Sequence, residues 1–171
     1  MSINLSSFFD DNVLSIHVDK NLKLEPLYVN ERKILFAEPV KFTGDIFRVG
    51  ENKILNGNLN YKFIETCARC LKEFVKEIDI PVSGKLIESN KKMIPDGDGE
   101  EPIYYSGNSV DLTGFIISSI VVSLPMKSLC RSDCKGLCPK CGKNLNEGNC
   151  NCNRDDVDPR FAKLKDLFSE N

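Results

Sequence analysis

The stretch LNGNLNYKF, residues 55–63, alternates apolar and polar side chains along its length. A period of two is the pattern of a β-strand that buries one face and exposes the other. The side chains expected on the buried face are Leu55, Leu59, Tyr61 and Phe63, and those on the exposed face are Asn56, Asn58, Asn60 and Lys62. The stretch therefore predicts one strand of a sheet that packs its core on one side.

The same pattern continues on both sides of this strand. It returns in EIDIPVSGKLIE, residues 77–88, and less regularly in PVKFTGDIFRVG, residues 39–50. The apolar positions are Ile78, Ile80, Val82 and Leu86 in the first and Val40, Phe42 and Ile46 in the second. Turn signals fall at VGENK and after Cys70, and connections this short join antiparallel strands, because a parallel pair needs a long crossover. Residues 13–88 are therefore predicted to form an antiparallel sheet or barrel.

The segment SVDLTGFIISSIVVSLP predicts a helix over about residues 109–124. Asp111 or Ser109 would be its N-cap and Pro125 would end it. One face of that helix would be apolar, with Leu112, Phe115, Ile116, Ile120 and Leu124. The β-branched content of the segment is also compatible with a buried strand, so periodicity alone leaves both interpretations open.

Two further segments complete the predicted organisation. Residues 89–108 are rich in Gly, Pro and charge and predict an exposed, mobile loop. The segment DPRFAKLKDLF predicts a short C-terminal helix, capped by Asp158 and started by Pro159. Its apolar stripe would be Phe161, Leu164, Leu167 and Phe168. The expected fold class is α+β: an antiparallel β domain over residues 1–129 with one central helix, and a cysteine-rich zinc ribbon over residues 130–171 on which the C-terminal helix packs, as one compact unit.

The composition is that of a soluble globular protein, since 41% of the 171 residues are hydrophobic and 28% are charged. The opening residues, MSINLSSFFDDNVLSI, lack the basic and apolar regions of a secretory signal. The longest apolar run, FIISSIVVSL, is too short to span a bilayer. We therefore expect a cytoplasmic protein without a membrane partner.

The eight cysteines occur as four closely spaced pairs. The pairs are Cys67 with Cys70, Cys130 with Cys134, Cys138 with Cys141, and Cys150 with Cys152. In a reducing compartment disulfides are rare, and thiols are retained for metal binding or catalysis. Structural zinc takes four thiolates, and a pair in a tight turn supplies two of them. Four pairs predict two zinc ions.

The spacing favours one grouping of these pairs. The CPKCG turn has Pro139 inside and Gly142 after it, and CNC follows eight residues later, so these two pairs are expected to share one zinc. By elimination the other zinc would take the pairs at Cys67 and at Cys130. A second grouping stays open, in which Cys130, Cys134, Cys138 and Cys141 close on themselves and the outer pairs meet.

Basic side chains are interspersed with the predicted ligands. A zinc ion with four thiolates has a formal charge of about −2, so nearby cations compensate it. Four of these cations are also candidates for contact with RNA phosphate: Arg131, Lys135, Lys140 and Lys143. The net charge of the chain is −2, which argues against nonspecific coating of nucleic acid. Compensation of the clusters is the simpler interpretation.

The sequence contains no recognisable catalytic constellation. Its single histidine, His17, is expected to be a strand residue, and Asp155, Asp156 and Asp158 fit a solvated face and a helix cap. There is no glycine-rich phosphate loop and no nucleophile elbow. We therefore predict a protein that is not an enzyme and has no small-molecule substrate.

The run LPMKSLCRSDCKGLCPKCGKNLNEGNCNC, the following DPRFAKLKDL and the upstream CARCL resemble the bacterial YceD family, also called the DUF177 domain family. The resemblance implies a ribosome-biogenesis factor that supports accumulation of 23S ribosomal RNA. The implied partners are that RNA or the pre-ribosomal particle, and a ribosomal protein. It also implies that the CPKCG and CNC pairs are accessory, because some family members lack them and keep the other site.

Two other functions are compatible with the residues. One is a protein-binding adaptor that uses the zinc ribbon, with Phe161, Leu164 and Phe168 as an anchor. The other is a thiol redox switch, in which oxidation of the CPKC and CNC pairs releases zinc and exposes apolar surface.

Overall fold

The computed structural model describes residues 1–10, 12–89 and 101–152. Strands predominate in this part of the chain, with one short 3-10 helix (Ser6–Phe9) and one α-helix, α1 (Thr113–Ser123). The strands are β1 (Ser2–Asn4), β2 (Ser15–Leu22), β3 (Leu27–Val29), β4 (Arg32–Phe36), β5 (Val40–Val49), β6 (Asn52–Thr66), β7 (Glu73–Glu88), β8 (Glu101–Tyr105) and β9 (Ser109–Asp111). The α+β class predicted from the sequence is confirmed.

Strand β6 is the centre of a seven-stranded sheet. One of its edges pairs with β7 along the length of both strands, and the other pairs first with β5 and then with β4. Strand β2 pairs with β5, and β3 with β4. All these pairs are antiparallel, as the short connections predict. The β5–β6 connection turns at Gly50, whose φ of +60° suits glycine.

The alternation of β6 places its apolar side chains in the core, as predicted. Leu55, Leu59, Tyr61 and Phe63 are buried, and so are Val40, Phe42 and Ile46 of β5. Ile78, Ile80 and Val82 of β7 are half-buried against the same core. Helix α1 covers this face with Phe115, Ile116 and Ile120. Burial of a large apolar side chain contributes about 1.5–3 kcal/mol, so this layer accounts for much of the stability of the sheet.

The prediction of a loop over residues 89–108 is wrong for its second half. Strand β8 pairs in parallel with the end of β7, from Gly84 with Glu101 to Glu88 with Tyr105. Strand β9 then pairs with β1. Ile103 and Val110 of these strands are buried, so apolar burial and backbone pairing outweigh the loop-like composition. Residues 90–100 of the predicted loop lie outside the described residues.

Helix α1 begins later than predicted, because residues 109–111 form β9. Ser109 is therefore a strand residue and not an N-cap. The N-cap position is Leu112, so Asp111 is not the N-cap either. The Oδ1 of Asp111 still accepts hydrogen bonds from the Thr113 N–H at 2.9 Å and from the Thr113 hydroxyl at 2.6 Å. The predicted C-terminal helix, with Asp158 and Phe161, falls in residues 153–171, outside the described part of the chain.

Polar contacts fix the C-terminal end of α1 on the sheet. The Tyr61 hydroxyl lies 2.7 Å from the Ser123 Oγ, and an Arg32 guanidinium nitrogen donates to the Pro125 carbonyl at 3.0 Å. Arg32 also forms an ion pair with Glu65 of β6, whose side chain is only 10% exposed. These contacts direct the chain after α1 toward the end of β6. Within the described residues no helix is both long and apolar enough to cross a membrane.

Candidate metal centres

The first thiol cluster, defined as Cys67, Cys70, Cys130 and Cys134, joins the β6–β7 connection to the segment that follows α1. Strand β6 ends at Thr66, and the turn that follows is closed by the Leu71 N–H donating to the Cys67 carbonyl at 3.0 Å. The Ala68 N–H donates to the Ser128 carbonyl at 2.8 Å, which brings the later segment alongside. Cys67, Cys70 and Cys134 are buried and Cys130 is half-buried.

The geometry of the first thiol cluster fits a tetrahedral metal ion. Its Sγ atoms all lie within 4.8 Å of one another, with Cys67 to Cys134 and Cys70 to Cys130 both at 3.7 Å. Zinc–sulfur bonds of about 2.3 Å in a tetrahedron place neighbouring sulfurs about 3.8 Å apart. A disulfide would need about 2.05 Å, and all four thiols are free. These residues could therefore hold one metal ion.

The second thiol cluster, defined as Cys138, Cys141, Cys150 and Cys152, also has its four Sγ atoms within 4.8 Å of one another. The Gly142 N–H donates to the Cys138 carbonyl at 2.9 Å, and the Cys138 N–H donates to the Lys143 carbonyl at 2.8 Å. Cys138 is buried, Cys141 is exposed, and the other two are half-buried. The structure thus brings together the two sets that the spacing favoured, and each could hold a metal ion.

Backbone amides stabilise one thiolate in each cluster. The N–H of Cys70 lowers the pKa of Cys67 to about 6, with the N–H groups of Cys130 and Arg69 assisting and burial opposing. The N–H groups of Cys141 and Lys140 likewise lower the pKa of Cys138 to about 6. Metal binds the thiolate form of cysteine, and the backbone of each CxxC turn stabilises that form.

The other end of each cluster resists ionisation when no cation is present. Burial, followed by hydrogen bonds that the Cys130 thiol donates to neighbouring cysteines, raises the pKa of Cys130 to about 12. The contact with Cys141, followed by burial, raises the pKa of Cys152 to about 12. Four thiolates this close repel one another unless a cation neutralises them, which is the electrostatic character of a metal site.

The two clusters are packed against each other through Arg69. The Arg69 carbonyl accepts the Leu137 N–H at 3.2 Å, and its guanidinium donates to the Cys134 carbonyl at 2.8 Å. Gly136 lies against the same residue with φ of +76°, and a Cβ there would come within 3.1 Å of the Arg69 carbonyl oxygen. Glycine is therefore required at this position for two reasons.

All four predicted RNA-contact residues lie at exposed positions of the cysteine-rich segment. Arg131 is paired with Asp133 at 3.2 Å and donates to Asn146 Oδ1 at 2.9 Å. The Lys143 ammonium donates to the Asn149 carbonyl at 2.9 Å. Arg131 and Lys143 therefore have structural contacts within the segment. Lys135 and Lys140 are exposed beside the clusters.

His17 lies in β2, as predicted, away from both clusters. It is exposed, and its Nδ1 is 2.9 Å from the Asp45 carboxylate. Asp155, Asp156 and Asp158 lie outside the described residues.

Sequence reasoning missed Asn146, whose amide reaches a sulfur of the first thiol cluster, and the Arg32–Glu65 pair. The composition of the hairpin around Asn146 does not distinguish this asparagine from its neighbours.

The fold and the site together define an α+β protein with a mainly antiparallel sheet and two four-cysteine clusters. Residues 55–168 match the family described as large ribosomal RNA subunit accumulation protein YceD. This match covers well over half of the chain and both clusters. The chain belongs to that family.

Two curated relatives are similar to this chain, and one of them has the family's name. An uncharacterized protein of Mycobacterium tuberculosis (strain ATCC 25618 / H37Rv) is 27% identical over 120 residues, which is 70% of this chain and 58% of the relative. The chloroplastic large ribosomal RNA subunit accumulation protein YCED homolog 1 of Arabidopsis thaliana is 24% identical over 155 residues, with 75% of this chain and 48% of the relative covered. The chain thus spans about half to three-fifths of the length of these relatives. No solved structure matches it.

Proposed function

We propose that this protein is a non-enzymatic, zinc-binding factor of ribosome biogenesis that supports accumulation of 23S ribosomal RNA and assembly of the large subunit. The observation that carries the proposal is the family match over residues 55–168, which includes both thiol clusters. The proposed cofactor is two zinc ions, and the proposed location is the cytoplasm.

The donor set supports zinc as the metal. Four sulfurs at tetrahedral spacing select a borderline-soft ion, and closed four-thiolate sites are typical of structural zinc. In the first thiol cluster the metal would connect the end of β6 to the segment after α1. In the second it would hold the hairpin from Cys138 to Cys152. Zinc binding contributes about 10–16 kcal/mol in peptide models, so it would organise a segment with little apolar core of its own.

The proposed partner is large-subunit ribosomal RNA, bound directly or within the pre-ribosomal particle. Four basic side chains are exposed on the cysteine-rich segment and are the candidates for phosphate contacts: Arg131, Lys135, Lys140 and Lys143. Arg131 and Lys143 would keep their contacts with Asn146 and Asn149. Contacts of this kind position a protein on folded RNA without reading its sequence.

Depletion of the protein in the organism that carries it tests the proposed role. Ribosome profiles on sucrose gradients, with precursor and mature 23S RNA quantified, should show a shortage of large subunits and of mature 23S RNA. A gene copy encoding the wild-type chain should restore both, and a copy with Cys67→Ser and Cys70→Ser should not. Normal profiles after depletion would reject the role in biogenesis.

Lysine substitutions separate RNA contact from other roles. The double charge reversal Lys135→Glu with Lys140→Glu should reduce crosslinking to ribosomal RNA. Lys20→Glu with Lys41→Glu is the matched control, because it changes the charge equally on exposed positions of β2 and β5. Equal crosslinking of both variants would remove these lysines from the proposed RNA contact.

A protein-binding adaptor is the second candidate, and one observation favours it. Val122 and Met126 are 87% and 97% exposed at the end of α1, just before the first thiol cluster. Exposed apolar side chains of this size are more useful to a protein partner than to RNA phosphate. Association with a ribosomal protein that survives nuclease and is lost in Val122→Asp with Met126→Asp would favour the adaptor.

A further inference from the structure

We infer that Asn146 is a positioning residue that couples the two thiol clusters, so that metal in the second stabilises metal in the first. This inference rests on the proposed metal binding and extends it to regulation of the site. Asn146 lies in the chain between Cys141 and Cys150 of the second thiol cluster. Its side-chain Nδ2 nevertheless donates to the Sγ of Cys134, in the first cluster, at 3.4 Å.

The side-chain oxygen of Asn146 binds the same segment, which contains Cys134. Its Oδ1 accepts the Lys135 N–H at 2.8 Å and an Arg131 guanidinium N–H at 2.9 Å. Arg131 lies within the Cys130 to Cys134 loop and Lys135 directly follows it, so one amide contacts this loop near both of its ends and also contacts the sulfur of Cys134. A half-buried amide with this many partners has one allowed orientation.

The hairpin that carries Asn146 ends in the second thiol cluster. The Asn144 Oδ1 accepts hydrogen bonds from the main-chain N–H of Asn146 at 3.1 Å and from the side-chain Nδ2 of Asn146 at 2.8 Å. The Leu145 N–H donates to the Gly136 carbonyl at 2.9 Å. The same hairpin continues to Cys150 and Cys152. A metal ion held by those two cysteines together with Cys138 and Cys141 would therefore restrict the position of Asn146.

The donated hydrogen bond has a defined effect on the first thiol cluster. An N–H directed at a thiolate stabilises its negative charge and fixes its orientation toward a metal. Loss of an outer contact of this kind typically costs 10- to 100-fold in metal affinity. Metal should therefore leave the first cluster faster when Asn146 is replaced or when the second cluster is empty.

The experiment measures metal content and then metal exchange in the full-length protein loaded with cobalt. Exchange of the bound cobalt for excess free zinc keeps both clusters occupied, and it should show a fast phase from the exposed second cluster and a slow phase from the first. Asn146→Ala should accelerate the slow phase at least about tenfold. Asn149→Ala is the matched control, because Asn149 is exposed and contacts Lys143 through its main-chain carbonyl, which alanine retains.

Two further variants separate positioning from general destabilisation. Asn146→Asp keeps the acceptor oxygen for Lys135 and Arg131 but cannot donate to the thiolate, so it should shift the sulfur-to-cobalt charge-transfer band of the first cluster. Cys150→Ser with Cys152→Ser, which disables the second cluster, should accelerate release from the first by itself. Adding Asn146→Ala to that variant should then have little further effect, because the coupling is already lost.

Each outcome has a definite meaning. Coupling through Asn146 is supported if Asn146→Ala and the cysteine variant each accelerate metal release from the first cluster, and if their combination is no faster than either alone. Unchanged slow-phase release in Asn146→Ala, or multiplied effects in the combination, would overturn the role of Asn146 and leave the metal sites in place. A wild-type protein that holds no metal would overturn both the coupling and the proposed cofactor.

Discussion

Leu71 and Gly142 occupy the same position in two equivalent cysteine turns. Each follows the second cysteine of a CxxC pair and donates its N–H to the carbonyl of the first, at 3.0 Å for Leu71 and 2.9 Å for Gly142. Each has a positive φ, +58° and +71° respectively. Glycine adopts a positive φ without strain, so the turn at Gly142 is relaxed. Leucine is strained in this conformation, so the turn at Leu71 is not.

This equivalence predicts unequal effects of substitutions at the two positions. Gly142→Ala should lower the free energy of unfolding by about 1 kcal/mol, because alanine is strained at positive φ. Leu71→Gly should change it by less than about 0.5 kcal/mol, since relief of strain offsets the added chain entropy and the leucine is 64% exposed. Urea unfolding with metal present measures both. A large loss in Leu71→Gly would show that its side chain has a packing role.

The Arg32–Glu65 pair should contribute more to stability than an exposed pair on the same sheet. Glu65→Ala should cost about 2–3 kcal/mol, because it leaves a partly buried guanidinium without its partner. The matched control is Glu38→Ala, which removes the exposed partner of Lys62 and should cost less than about 1 kcal/mol. Equal losses in urea unfolding of the two variants would contradict the buried role of Glu65.

The hydrogen bond between Tyr61 and Ser123 should contribute to stability by connecting the sheet to helix α1, and it requires both hydroxyls. Tyr61→Phe and Ser123→Ala should each lower the free energy of unfolding by about 1 kcal/mol. The double variant should lose clearly less than the sum, because both single variants remove the same hydrogen bond at 2.7 Å. A double-mutant cycle in urea provides the measurement. Strict additivity would mean that the two hydroxyls act independently.

Chelation should remove metal from the two clusters in a fixed order. The second thiol cluster includes the exposed Cys141, whereas three cysteines of the first are buried. About one metal ion per chain should therefore leave rapidly and a second slowly, with most β-sheet signal retained until the slow phase. Metal release followed together with circular dichroism provides the measurement. Release of both ions at one rate, with simultaneous loss of the sheet, would contradict this order.

The parts of the fold that were predictable are those decided by local alternation. The residue type at each position of β6 specifies its buried face, so Leu55 to Phe63 could be assigned directly. Strand β8 could not, because Glu101–Tyr105 pairs in parallel with the end of the preceding strand and follows a stretch rich in Gly, Pro and acidic residues. Its strand conformation depends on a free edge of β7 that only the folded sheet provides.

The candidate site shows the same division. Cysteine spacing favoured the grouping that the structure shows, because each pair is local, but it left a second grouping of the pairs open. The contact of Asn146 with Cys134 was not predictable, since an asparagine in a polar hairpin is indistinguishable from its neighbours until the hairpin is folded. Leu71 gave no signal either, because positive φ at a leucine is imposed by the turn around it.

Metal analysis of the purified, reduced protein tests the central claim most directly. Elemental analysis combined with X-ray absorption at the zinc edge measures both the number of ions and their ligands. The account predicts two zinc ions per chain, each with four sulfurs at about 2.3 Å. A chain with reduced thiols and no stoichiometric zinc, or zinc bound mainly by nitrogen and oxygen, would contradict it.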